Sequence, residues 1–277
     1  MIVDTHVHVI APDQARYPLR PAGVGSQWFR EHPVSVEEFA ATAAAAGVDR
    51  AVLVQAFGAY TTDNSYVIDA AASDDRFVSV VIVEPGDVDA LRAHAARSRC
   101  GGVRLFGVGG DAPTWFDGEP GIALWDVAVE LDLRIVATLL TPELPRLRAM
   151  LVRRLDTPVV LDHCGFPDVR GGPPFPGLTP LRELAEFDNL HLKVTSHVLE
   201  EAAADAPALV SELAATFGAE RLVWGSDYSQ THDRSYADLV ALGASACADL
   251  SARDQALVLG ENALRLWPAL AGASASA

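Results

Sequence analysis

The sequence predicts an α/β fold, a closed (β/α)8 TIM barrel in a single domain, and three observations carry that prediction. Eight apolar runs of strand length alternate with eight helical patterns along 277 residues. The runs are nearly continuous in Val, Ile and Leu, as befits strands of a parallel sheet buried on both faces. The polar residues in these runs gather at their C-terminal ends, the rim on which such barrels carry chemistry. A chain of this length accommodates eight β/α units in one domain without splitting.

The first run, Ile2–Val9, carries Asp4, His6 and His8 on one face and Val3, Thr5, Val7 and Val9 on the other, because strand side chains alternate with period two. The strands that follow are Arg50–Ala56, Phe77–Glu84, Gly101–Phe106, Leu133–Leu140, Pro158–His163, Leu190–Thr195 and Arg221–Asp227. Helical patterns cover Val36–Ala46, Asn64–Ser73, Val88–Arg99, Gly121–Leu131, Leu144–Leu155, Pro180–Glu186, Ala206–Phe217 and Tyr236–Ala246. Ser35 precedes the first of these as an N-cap with Glu38 three residues on, while Gly47 and Gly218 supply stop signals. No Gly-x-Gly-x-x-Gly follows the first strand, and Gly107-Val108-Gly109-Gly110 runs into Asp111-Ala112-Pro113, a loop. The longest irregular segments, Ala11–Pro33 and Phe166–Leu178, follow strands one and six and extend from the rim, where pockets and lids are built. The barrel is expected to span residues 1–268, with 269–277 a low-complexity flexible tail.

Composition narrows the function. Twenty-one Lys+Arg against 37 Asp+Glu give a net charge of −16, the wrong sign for binding nucleic acid or an anionic membrane. The three cysteines, Cys100, Cys164 and Cys247, are odd in number and widely spaced, which argues for a reducing compartment. No leader pattern and no apolar run of membrane-spanning length is present, so a soluble cytoplasmic protein acting on a small-molecule substrate is expected. A homo-oligomer stays open.

Strand parity then selects the inward-facing polar residues. His163 shares a face with Val159 and Leu161, Asp227 with Val223 and Gly225, and Arg104, Gln55, His191, Lys193 and Thr195 also point inward. An ion pair of Lys193 with Asp4 on the barrel floor is an alternative reading for those two. Histidines buried on an apolar strand need hydrogen bonds, a metal or a use. His6, His8 and His163 with Asp227 can hold one divalent metal such as zinc, with a position open for water. Alternatively the imidazoles donate to a carbonyl oxygen while Asp227 takes a proton from water. Both routes hydrolyse an acyl-type bond.

The segments His6-Val-His8, Leu161-Asp-His-Cys-Gly165, Trp224-Gly-Ser-Asp-Tyr228 and Gly260-Glu-Asn-Ala-Leu-Arg-Leu-Trp267 resemble the amidohydrolase superfamily. Together with Tyr17-Pro18 and Gly47-Val-Asp-Arg-Ala-Val-Leu-Val-Gln55, they are most similar to its amidohydrolase-related lactonase branch, which holds 2-pyrone-4,6-dicarboxylate lactonase and sugar lactonases. The resemblance implies a hydrolase that opens the lactone of a small, carboxylated substrate. Asp227 would be the general base, and His6, His8 and His163 would polarise the lactone carbonyl. Arg104 would pair with a substrate carboxylate, Lys193 would supply a second anion contact, and Gln55 and Tyr228 would also line the substrate site. Two-metal members carry a bridging lysine where this chain has Arg104 and a histidine on strand five, where Leu133–Leu140 has none and Thr138 is the nearest polar residue. A binuclear site is therefore not expected. Because the branch includes members that need no metal, no strictly required cofactor is favoured over one divalent metal. The alternative is a metal-dependent nonoxidative decarboxylase of the same superfamily, for which His197 is the local candidate for a further histidine. Cys164 is expected to face away from the pocket, and Trp224 and Trp267 to pack.

Overall fold

Each of the eight apolar runs becomes a parallel strand in the computed structural model, which describes residues 1–21, 23, 27–97 and 99–272. They are β1 (Val3–Val7), β2 (Arg50–Val54), β3 (Phe77–Val81), β4 (Cys100–Phe106), β5 (Arg134–Thr138), β6 (Val159–Leu161), β7 (Leu190–Thr195) and β8 (Leu222–Gly225). Most are shorter than their runs because the last residues of the run leave the ladder to build the rim. The strands pair in sequence order from β1 to β8. The barrel closes where Asp227 N–H donates to His6 O (2.9 Å), His8 N–H donates to Tyr228 O (2.6 Å), and the Thr5 hydroxyl donates to Trp224 O (2.7 Å).

The eight expected helices form, with ends shifted by a few residues, and the Ser35/Glu38 capping box is present. Short helices at Trp28–Glu31, Phe57–Tyr60 and Ser196–Ala202 decorate the rim. Segments of one or two turns give too little periodicity to be read from sequence.

Two apolar layers result. Val52, Val54, Val78, Val80, Val136, Val160 and Val223 fill the barrel with Val3, and Leu266, Trp267 and Leu270 plug its floor. The alternate residues, such as Leu53, Val103, Val159, Leu161 and Leu192, face the helices. Trp224 and Trp267 are both buried. The 3-10 turn Pro268–Ala271, with Leu270 wholly buried, belongs to this plug, so the packed barrel runs past residue 268. Residues 273–277 of the expected tail lie outside the described residues.

Strand parity needs correction in three places. In β2, Val52 and Val54 point inward and Leu53 outward, so Gln55 alternates away from the interior. In β1 the register shifts between Asp4 and Val7, so that Val3 joins the interior cluster and Val7 the outer one. Asp4 and the histidines therefore do not share a face: Asp4 accepts from the hydroxyl of Tyr236, on helix Tyr236–Ala246 outside the barrel, at 2.9 Å. In β6, Val159 and Leu161 point outward and Val160 inward, which puts Asp162 and not His163 on the interior face. His163 reaches the interior by another route. The strand ends at Leu161, and His163 and Cys164 take left-handed backbone conformations (φ 52° and 53°) that swing the chain over the mouth.

The inward side chains of β7 rise from floor to mouth as His191, Lys193 and Thr195. Burial, with the charges of Arg221 and Arg134 beside it, pulls His191 down to a pKa of about 4. Folded His191 is thus neutral from neutral pH down to about 4, whereas in the unfolded chain it gains a proton below about 6.5. Stability from this residue is lost as pH falls through that window. Urea unfolding should show wild type losing on the order of 2–3 kcal/mol more than His191→Gln between neutral pH and the acid end of the window. Parallel pH profiles of the two proteins would refute it.

Candidate active site

At the C-terminal mouth the rim residues of β1, β4, β6, β7 and β8 converge on one buried polar cluster. Its base is ionic. Asp162 Oδ2 accepts from Arg104 Nε and from the Thr138 hydroxyl, each at 2.8 Å, and Asp162 Oδ1 lies 3.2 Å from Lys193 Nζ. Asp162 and Lys193 have no solvent exposure. Burial pushes the Asp162 carboxyl up, but the charges of Lys193, Arg104 and His6 outweigh this and hold it well below the usual range. Burial also lowers the Lys193 ammonium, and Asp162 opposes the shift. Lys193 thus pairs with Asp162, and not with Asp4. Burial raises the Asp4 carboxyl to about 6, against hydrogen bonds from Ser226, His6 and Tyr236.

Above this base sit the imidazoles. His6 Nδ1 lies 3.3 Å from Asp162 Oδ1 and 3.4 Å from Lys193 Nζ. His8 Nδ1 is 2.9 Å from Val54 O; a carbonyl only accepts, so Nδ1 carries the proton and neutral His8 presents a bare Nε2. That Nε2 faces Asp227 Oδ1 at 3.5 Å, and His6 Nε2 lies 3.6 Å from the same oxygen. His163 Nδ1 contacts the Thr195 hydroxyl at 2.7 Å. Burial, reinforced by Lys193, keeps His6 well below the ordinary imidazole pKa, and burial brings His163 to about 4. Burial pushes the Asp227 carboxyl up; the His8 contact and the neighbouring His163 and His6 more than reverse this, leaving it an anion far below the usual range.

His6 Nε2 and Asp227 Oδ1 are buried without a hydrogen-bond partner among the described residues. With His8 they offer three ligand atoms mutually within 4.8 Å. With the proton of His6 on Nδ1, two nitrogens and a carboxylate oxygen converge as acceptors and suit a borderline divalent ion such as zinc. His8 has the outer partner that fixes a ligand's tautomer. His163 lies outside this trio. It falls in a second grouping with His6 and Asp162, but there the Lys193 ammonium already neutralises the carboxylate.

A family model described as Amidohydrolase matches residues 3–269. The chain belongs to the amidohydrolase family. It is 31% identical over 198 residues to an L-fucono-1,5-lactonase from Burkholderia ambifaria, a match covering 67% of this chain and 66% of that protein. Its fold superposes, with a TM-score of 0.80, on a Pseudomonas putida protein described as a 2-pyrone-4,6-dicarboxylic acid hydrolase, at 26% identity over 97% of each chain. An amidohydrolase from Burkholderia multivorans with bound zinc shares the fold at a TM-score of 0.77, with 21% identity over 97% of this chain and 99% of that one.

In this amidohydrolase the mouth gathers His6, His8, His163, Asp227, Arg104 and Lys193, but two residues expected at the site are engaged elsewhere. The Gln55 amide donates to Thr61 O (3.0 Å) and Asp63 O (2.9 Å), so both its protons brace the loop after β2 and only its oxygen is free for a ligand. The Tyr228 ring packs against Phe39 and Tyr236, in the outer apolar layer. What Tyr228 gives the site is its carbonyl, which accepts from His8 N–H. His197 lies at the rim, its ring 5.9 Å from that of His163. Cys164 turns away, its thiol donating to Lys193 O.

Asp162 is the participant that strand parity misses, whereas the sequence marks Thr138, on the inward face of β5 with Val136, only as the nearest polar residue of its strand. Charge balance could have found Asp162, since inward-facing Arg104 and Lys193 require a buried carboxylate. Removing it strands two buried cations. Asp162→Asn should therefore destabilise the fold by about 3–5 kcal/mol in urea unfolding. A loss below about 1 kcal/mol, the level of an exposed pair, would refute the assignment.

Proposed function

We propose that this amidohydrolase opens the lactone ring of a small carboxylated substrate with water activated by Asp227. The reading rests chiefly on the orphaned Asp227 oxygen facing the bare His8 Nε2 at 3.5 Å inside a buried mouth. Two acceptors so placed call for a molecule that donates to both, which a water does. The similarity to an L-fucono-1,5-lactonase and to a described 2-pyrone-4,6-dicarboxylic acid hydrolase supports a cyclic ester as the substrate class.

In this mechanism the water oxygen attacks the lactone carbonyl carbon and its proton passes to Asp227. The carbonyl oxygen becomes the oxyanion, and the ring C–O bond then breaks. The leaving alkoxide takes the proton back and ends as the hydroxyl of a hydroxy acid. Because Asp227 is an anion and His163 neutral at neutral pH, no preliminary protonation change is needed. With the Thr195 hydroxyl donating to Nδ1, His163 would carry its proton on Nε2 and offer it to the oxyanion. His6, His8 and Asp227 would hold a divalent metal, and when bound it would polarise the carbonyl and acidify the water. We propose that the metal assists without being required, since base and donor are both supplied by side chains.

Asp227→Asn keeps the side-chain volume and removes the base. It should lower kcat by about 10²–10⁴ on whichever member of a panel of sugar and pyrone carboxylate lactones is opened. Unchanged turnover, or no ring opening across the panel, would overturn the reading.

Arg104 Nε is committed to Asp162 and Thr138, while neither Nη group enters a hydrogen bond among the described residues. We assign this free end of the planar fork to the substrate carboxylate. Arg104→Lys preserves the charge opposite Asp162 but loses the fork. KM should rise about 10–100-fold with a smaller change in kcat, the worth of a hydrogen bond between charged groups. A normal KM would remove Arg104 from substrate binding.

A further inference from the structure

The loop after β1 and the loop after β8 meet above the mouth in a second group of ligating side chains, away from Asp227. The rings of His32 and His232 stack with centroids 3.9 Å apart and planes 25° from parallel. Glu31 stands beside them, and one ligand atom from each of the three lies within 4.8 Å of the other two. We propose that Glu31, His32 and His232 bind a divalent transition-metal ion of the zinc class, a clasp joining the two loops across the rim.

The tautomer favours it. His232 Nδ1 lies 2.8 Å from Gln230 O, a contact it makes only as a donor, so the neutral ring presents its lone pair at Nε2. Metal-bound histidines are oriented by an outer acceptor of this kind. Two nitrogens and one carboxylate oxygen, with water completing the shell, suit zinc, nickel or copper; magnesium and calcium prefer oxygen ligands throughout.

Both ends of the clasp continue into the site below. His32 N–H donates to Trp28 O (2.7 Å), and the Trp28 ring packs 5.7 Å from that of His8. On the other side Thr231 N–H donates to Asp227 O (2.8 Å), one residue before His232. An ion at the rim would therefore stiffen the segments flanking His8 and Asp227 without touching substrate.

The test uses the full chain, stripped of metal, dialysed against zinc above the ordinary imidazole pKa of about 6.5, and assayed for bound metal. Wild type should retain one zinc per chain more than His32→Gln/His232→Gln, because any ion held by His6, His8 and Asp227 is common to both. Zinc should also slow proteolysis within residues 11–33 in wild type and not in the variant. Glu31→Gln, an exposed single change that keeps the ring stack, should bind that zinc more weakly than wild type. Equal zinc content in wild type and the double variant, or proteolysis indifferent to zinc in wild type, would overturn the clasp.

Discussion

The site depends on one buried interaction, the sharing of Asp162 between Arg104 and Lys193 inside the barrel. A lysine with no exposed surface is untenable alone, and so is a buried carboxylate; each is tolerable because the other is there. Two cations against one anion leave an excess positive charge beneath the histidines. With burial, that excess works against protonation: Lys193 lowers His6 and Arg104 lowers His163. His6 and His163 are therefore neutral beside a carboxylate anion, Asp227, whose charge balances the excess below. Thr138 completes the base by donating to Asp162, on the strand that carries no histidine.

Delivering the histidines to that field requires breaking the strand pattern. An ideal β1 would send Asp4, His6 and His8 to the same side. The register shift turns Asp4 outward to Tyr236 while His6 and His8 remain inward. Gly225 on β8 makes the close approach feasible: a Cβ there would lie 2.9 Å from the Cβ of His6. The left-handed residues His163 and Cys164 do the same service on the far side of the mouth, and Asp227 itself has a positive φ of 58°. Such conformations are costly for residues other than glycine, and they concentrate where chemistry needs a side chain aimed off the regular lattice.

This explains what was legible in the sequence. A parallel barrel buries both faces of every strand, so Val52–Val54 or Val78–Val81 announce themselves as apolar runs, and all eight strands could be located. Periodicity also assigned Arg104 and Lys193 to the interior, because β4 and β7 are regular there. On β2 it failed by choosing the wrong face, since Val52 and Val54 hold the interior and Gln55 does not; elsewhere it failed where backbone regularity fails. The β1 register shift and the abrupt end of β6 after Leu161 hid the outward turn of Asp4 and the inward place of Asp162. Tyr228 misled for a related reason: the peptide beyond β8 joins the barrel closure through its carbonyl, and its ring is left to the outer aromatic layer. Spacing within a strand carries no information about such departures; the charge balance of the interior does.

The same balance bears on how the site relates to a metal. His6 Nδ1 lies almost equally far from Asp162 Oδ1 (3.3 Å) and Lys193 Nζ (3.4 Å), and the two neighbours demand opposite tautomers. Donation to Asp162 leaves Nε2 bare, so that His6, His8 and Asp227 form three acceptors that attract a cation. Acceptance from Lys193 puts the proton on Nε2, where it meets the Asp227 oxygen, and one of the three ligands is lost. A metal can occupy the mouth only in the first arrangement, while the second supplies Asp227 with a hydrogen bond in its place. On the proposed function, the choice between metal-assisted and metal-free hydrolysis would be set below the reacting atoms, by which partner within the Asp162–Lys193 pair holds the Nδ1 side of His6.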